Sequence, residues 1–89
     1  MKKKNYEVLN ALKGKIKEEQ KNYRSLSKET GISVNALNNK LNGYSVFDMK
    51  EVSIVVEKLN IQPNEIIRYF FPQMLRNATE KDRLHLSNP

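Results

Sequence analysis

From Tyr23 to Gly43 the chain reads YRSLSKETGISVNALNNKLNG, and this stretch restricts the fold more than any other. Asn22 is a candidate N-cap for a short helix over residues 23–30, with Leu26 as its apolar anchor. Gly31 ends that helix in the manner of a left-handed cap residue and relieves the backbone at a sharp turn. Ser33 caps a second helix, in which Val34, Leu37 and Leu41 fall within about 60° of one another at 100° per residue. Asn42-Gly43 terminates it. Ser27, a small residue, stands where the second helix crosses the first, and Leu26, Ile32 and Leu37 supply the contacts that lock the two. The predicted unit is therefore helix, turn, helix.

The flanking segments follow the same grammar. Tyr6, Leu9, Leu12 and Ile16 recur at helical spacing and predict an amphipathic first helix over residues 5–18, weakened slightly by Gly14. Asp48 and Glu51 have capping-box spacing, with Phe47 as the preceding staple residue. The helix they open runs to about Leu59 and buries Val52, Val55, Val56 and Leu59. Its run of valines and isoleucine also fits a strand, but the caps and the length favour helix. Pro63 suits the first position of a fifth helix. Ile66, Ile67, Phe70 and Phe71 form its apolar face, Tyr69 to Phe71 close the core or join Ile67 in a dimer patch, and Pro72 limits it. Residues 73–89 read as a polar, nearly neutral tail, frayed or ordered by a partner, with Met74, Leu75, Leu84 and Leu86 to bury. The expectation is all-α: five short helices in one domain over residues 1–72, then the tail.

Composition excludes several function classes. The 89 residues contain no cysteine, so neither a disulfide framework nor a thiolate site exists. The lone histidine, His85, lies in the polar tail without a plausible partner. No nucleophile–base pair, metal-ligand spacing or phosphate-cradling glycine loop is present, so no catalytic residue, metal or cofactor is expected. No apolar run approaches the roughly 20 residues of a membrane span, and the basic start MKKK is not followed by a signal-peptide core. A cytoplasmic setting is expected. The formal net charge of +6 is unevenly placed: residues 1–47 hold ten Lys/Arg against four Asp/Glu, and residues 48–89 hold six of each. A basic half-domain suits a polyanion. Lysine as a solubilising residue explains the charge equally well, and MKKK reads either as a solvated end or as an arm on nucleic acid.

By pattern, residues 23–41 have the spacing of a helix-turn-helix unit. The run RSLSKETGISVNALNNKLNG, the Asp48 cap, a helix ending EKLNI and a proline-initiated fifth helix together resemble the Cro/repressor-type helix-turn-helix family of phage and plasmid regulators. KLNG and the ending EIIRYFF are similar to small Cro-like phage regulators in particular. The resemblance spans about residues 5–72. Departures are Ser27 where the family usually has alanine, and Thr30 and Lys40 where it usually has apolar residues, with Leu41 taking over the contact next to Lys40. The resemblance implies a compact five-helix lambda-repressor-like domain whose third helix enters the major groove of DNA. It implies base contacts from Val34, Asn35, Asn38 and Asn39. It further implies backbone contacts from Tyr23, Ser33, Lys40, Asn42, Gly43 and Tyr44. The protein would be a homodimeric transcriptional regulator of a phage or mobile element on a palindromic operator.

Helical geometry agrees in large part. With Val34 at 0°, the apolar stripe centres near about 330°, while Asn38, Asn42, Asn35 and Asn39 lie between about 40° and 140°. Lys40 points to a flank. An asparagine amide can hold adenine N6 and N7 together, so A·T pairs are expected at the contacted steps, with Val34 against a thymine methyl or at the core edge. With eleven asparagines in the chain, general asparagine richness is the competing explanation. A second expectation, from a different class, is a protein-binding antagonist of another phage regulator built on the same fold.

Overall fold

The helices start where their caps stand. The computed structural model describes residues 3–76, and every element among them is helical. In α2 (Tyr23–Thr30), Asn22 Oδ1 accepts from Ser25 N–H at 2.8 Å and Ser25 Oγ accepts from Asn22 N–H at 2.9 Å. Gly31 ends α2 with φ +79°, the left-handed conformation its sequence position predicts. Two residues later Ser33 Oγ accepts from Ala36 N–H at 3.1 Å and opens α3 (Val34–Leu41). Asp48 and Glu51 form the reciprocal box that opens α4 (Met49–Lys58), with bonds of 2.7 and 2.9 Å.

The first helix differs from its expected span. Helix α1 runs Asn10–Glu18, and residues 5–9 are not helical. The cause is tertiary: Asn5 and Tyr6 N–H groups donate to the Gly43 carbonyl at 3.1 and 3.0 Å, and Leu9 N–H donates to Leu41 O at 2.9 Å. These bonds tie the incoming chain to the end of α3. Leu9 still reaches the core, whereas Tyr6 is half exposed.

The fifth helix also differs. Pro63 opens a 3-10 turn (Pro63–Glu65), and α5 (Ile66–Phe70) follows it. Tyr69 and Phe70 are buried, while Ile67 and Phe71 are exposed. Phe71 has already left helical geometry, at φ −135° and ψ 53°, so it no longer shares a face with Phe70. Pro72 starts a further helical turn, residues 72–76, rather than ending order there. Met74 and Leu75 in that turn are exposed. The rest of the expected tail, residues 77–89, lies outside the described residues.

Leu12, Leu26, Leu37, Leu41, Val55 and Leu59 are fully buried and form the centre of the core. Phe47 and Phe70 close it edge to face, with centroids 5.6 Å apart. Val52 and Val56 pack at its margin. Helix α2 packs on both α3 and α4, and α1 packs on α3 and α5. Helix α3 is thus held from behind by α1 and α2, and its other side is left open. Among the described residues, no helix is long and apolar enough to cross a membrane.

Candidate nucleic-acid interface

Helix α3 divides cleanly by accessibility. Leu37 and Leu41 are fully buried, whereas Val34, Asn35 and Asn38 are exposed and Asn39 is half-buried. All four expected base-facing residues therefore share the open side of one helix. Ser33 is exposed at the start of α3, with its hydroxyl oxygen engaged by the cap. Tyr23, at the start of α2, packs partly against the core. Burial pushes its phenol up, so the hydroxyl stays protonated and able to donate.

The far end of α3 is more engaged within the protein than the sequence suggests. Asn42 Nδ2 donates to Asn38 O at 2.8 Å and to Asn38 Oδ1 at 3.0 Å, and Asn42 Oδ1 accepts from Lys13 Nζ of α1. Gly43 is buried, and its carbonyl holds the N-terminal segment. Lys40 turns toward α4, where it pairs with Glu51 and lies over the Phe47 ring at 5.8 Å. That sets it apart from the asparagine side.

The basic N-terminus reads two ways in the sequence, and the fold gives it a location. Pinned at Gly43, the segment brings Lys3 to a shallow depression shared with Asn39, Tyr44 and Ser45. The Lys4 ammonium lies 5.8 Å from the centre of the half-buried Tyr44 ring. Two cations thus border the end of the asparagine row. The only local signal for this was the Asn42-Gly43 pair, which reads as a helix end and says nothing about what docks there.

Charge pairing sharpens the basic character of this half. Glu7 pairs with Arg76, Glu18 and Glu19 with Lys15, and Glu29 with Lys21. All four acids of residues 1–47 are therefore occupied. Lys3, Lys4, Lys13, Lys17, Arg24 and Lys28 have no carboxylate partner among the described residues. On the side to which Lys40 turns, an apolar groove of about 150 Å³ runs between Tyr6, Val46, Phe47, Phe71 and Met74. Among the described residues, no three His, Asp or Glu side chains are grouped to hold a metal ion. Comparison with known proteins matches the chain to no family model, no curated protein and no solved structure.

Proposed function

We propose that the chain is a sequence-specific DNA-binding regulator of transcription, with α2, the turn at Gly31 and α3 acting as a helix-turn-helix unit in a lambda-repressor-like domain. One observation carries the reading: Asn35, Asn38 and Asn39 form a carboxamide row on the open side of a helix whose other side is core. A well-placed amide–base pair discriminates by about 1–3 kcal/mol. That outweighs the roughly 0.5 kcal/mol each asparagine costs a helix relative to alanine. Val34 fits a thymine methyl, and Lys3, Lys4, Lys17, Lys28 and Arg24, which have no carboxylate partner among the described residues, neutralise phosphates. Two copies on a palindromic operator place one α3 in each half-site and block polymerase at a phage or mobile-element promoter.

Footprinting on the DNA flanking the protein's own gene tests this. The wild type should protect a two-fold symmetric site. Affinity should fall steeply with rising salt, as counterion release requires. The double change Asn35→Ala, Asn39→Ala should cut selectivity for that site by tenfold or more, about 1.4 kcal/mol, while leaving non-specific binding. Binding that does not weaken as salt rises would sink the electrostatic account.

The exposed apolar residues around the groove favour a second reading, a protein-binding antagonist of another regulator. Val46 is 56% exposed, Phe71 41% and Met74 57%. If Phe71→Ser abolishes regulation while the asparagine changes leave it intact, this second reading replaces the first.

A further inference from the structure

Lysine donates hydrogen bonds and cannot accept them, and this dictates how two carboxamides at the end of α3 must lie. Lys13 Nζ donates to Asn42, so the atom facing it is Oδ1. Asn42 Nδ2 is then directed at α3, where it meets the Asn38 main-chain carbonyl at 2.8 Å. A carbonyl only accepts, so the Lys13 contact and the carbonyl contact both require the same sense of the Asn42 amide, and each alone holds it less firmly than the two together. The same Nδ2 reaches the Asn38 side chain at 3.0 Å, and the atom receiving it must be Oδ1. Oxygen and nitrogen occupy opposite arms of a planar carboxamide. Asn38 Nδ2 therefore lies away from Asn42, on an exposed residue of the open side.

We propose that Lys13 and Asn42 are positioning residues that fix the sense of the Asn38 carboxamide, so that Asn38 offers a donor to the base it meets. This rests on α3 being the base-reading helix. In the major groove, guanine offers N7 and O6 as acceptors, adenine N7 and thymine O4, whereas cytosine offers only its N4 donor. A carboxamide free to turn over meets cytosine with its oxygen. One held by Asn42 meets it with N–H against N–H. Cytosine is thus the base rejected at the step Asn38 touches. The lysine charge at the head of the chain polarises both amides in the same direction, which strengthens Asn38 as a donor. Lys13 lies 29 residues before Asn42, on another helix, so base preference on α3 is set partly from α1.

The test is selection from a pool of randomised double-stranded oligonucleotides, with every variant checked for its helical signal and melting temperature. Asn38→Ala identifies the Asn38 step as the position whose preference disappears. There the wild type should reject cytosine by about tenfold relative to the best base. Lys13→Met should reduce that to within about threefold, and Lys13→Arg, which restores a donor, should keep the wild-type value. Asn42→Asp presents only acceptors, turns the Asn38 amide over and should make cytosine a preferred base. Other positions should keep their preferences, which a general loss of packing would not allow. If Lys13→Met reproduces the wild-type profile, the inference is overturned while the DNA reading stands, and this variant decides the matter should Asn42→Asp fail to fold. An Asn38→Ala profile identical to the wild type also overturns it. A wild-type selection that enriches no motif overturns the DNA reading, and the inference falls with it.

Discussion

Gly43 shows how much one position without a side chain can hold. Its φ is +88°, and a Cβ placed there would stand 2.4 Å from the Tyr6 carbonyl oxygen. Strain and collision therefore act together, and the neighbour is backbone, which cannot turn aside. Gly43→Ala should cost more than about 1 kcal/mol, a fall in melting temperature of at least about 4 °C. Gly14 makes the opposite case. It sits inside α1, with nothing within 4 Å of the position a Cβ would take. Gly14→Ala should stabilise by roughly 0.5–1 kcal/mol, through helix propensity alone. Thermal melts of the two variants, followed by helical circular dichroism, should move in opposite directions. A Gly43→Ala protein that melts like the wild type would mean that the N-terminal segment is not held as described.

Among the elements, those closed by local chemistry were legible and those closed by distant contacts were not. Asn22, Ser33 and Asp48 each cap a helix through a partner three residues on, and such spacing is visible in a sequence. The start of α1 is not legible locally, because Tyr6 and Leu9 keep helical spacing while their N–H groups bond to Gly43 and Leu41, more than thirty residues away. On α5, which follows a 3-10 turn, Ile66 and Phe70 pack inward as their spacing predicts, but the third inward residue is Tyr69, and Ile67 and Phe71 are exposed. The same division holds for the candidate interface. The asparagine row follows from 100° per residue, but nothing local reveals that Lys40 turns to Glu51 or that Lys13 reaches Asn42. Two element-level outcomes follow from the caps and the row. Asp48→Ala removes the acceptor for Glu51 N–H and should cost about 1 kcal/mol in chemical denaturation. The double change Asn35→Ala, Asn39→Ala should leave stability unchanged or raise it by up to about 1 kcal/mol, since alanine is the better helix former. Stability gained where selectivity is lost would mark these amides as retained for contact rather than for folding.

For the whole molecule, the longest-range link is also the one most open to titration. Arg76, in the helical turn after Pro72, meets Glu7 of the N-terminal segment with bonds of 2.6 and 2.7 Å. It thereby joins the two ends of the described chain. The hydrogen bond from Arg76, helped by its charge, holds the Glu7 carboxyl below the ordinary glutamate value of 4.5. Glu19 is likewise lowered, first by the hydrogen bond from Asn60 and then by the one from Lys15. A carboxyl whose value is lower in the folded state binds fewer protons there than in the unfolded chain. Its contribution is complete above the unfolded value and disappears as pH falls through the folded one. Melting temperature should therefore drop as pH is taken from about 5 to about 3. Arg76→Gln removes the Glu7 part of that dependence and leaves the Glu19 part, so the variant should melt lower than the wild type near neutrality and approach it in acid. The Arg76 side chain is 62% exposed and that of Glu7 33%, so solvent screens the pair and the difference should be small. Raising the salt concentration should shrink it further. Melting curves that run parallel across this pH range, with a constant offset between the two proteins, would show that Arg76 acts through packing of its stem and not through the Glu7 carboxylate.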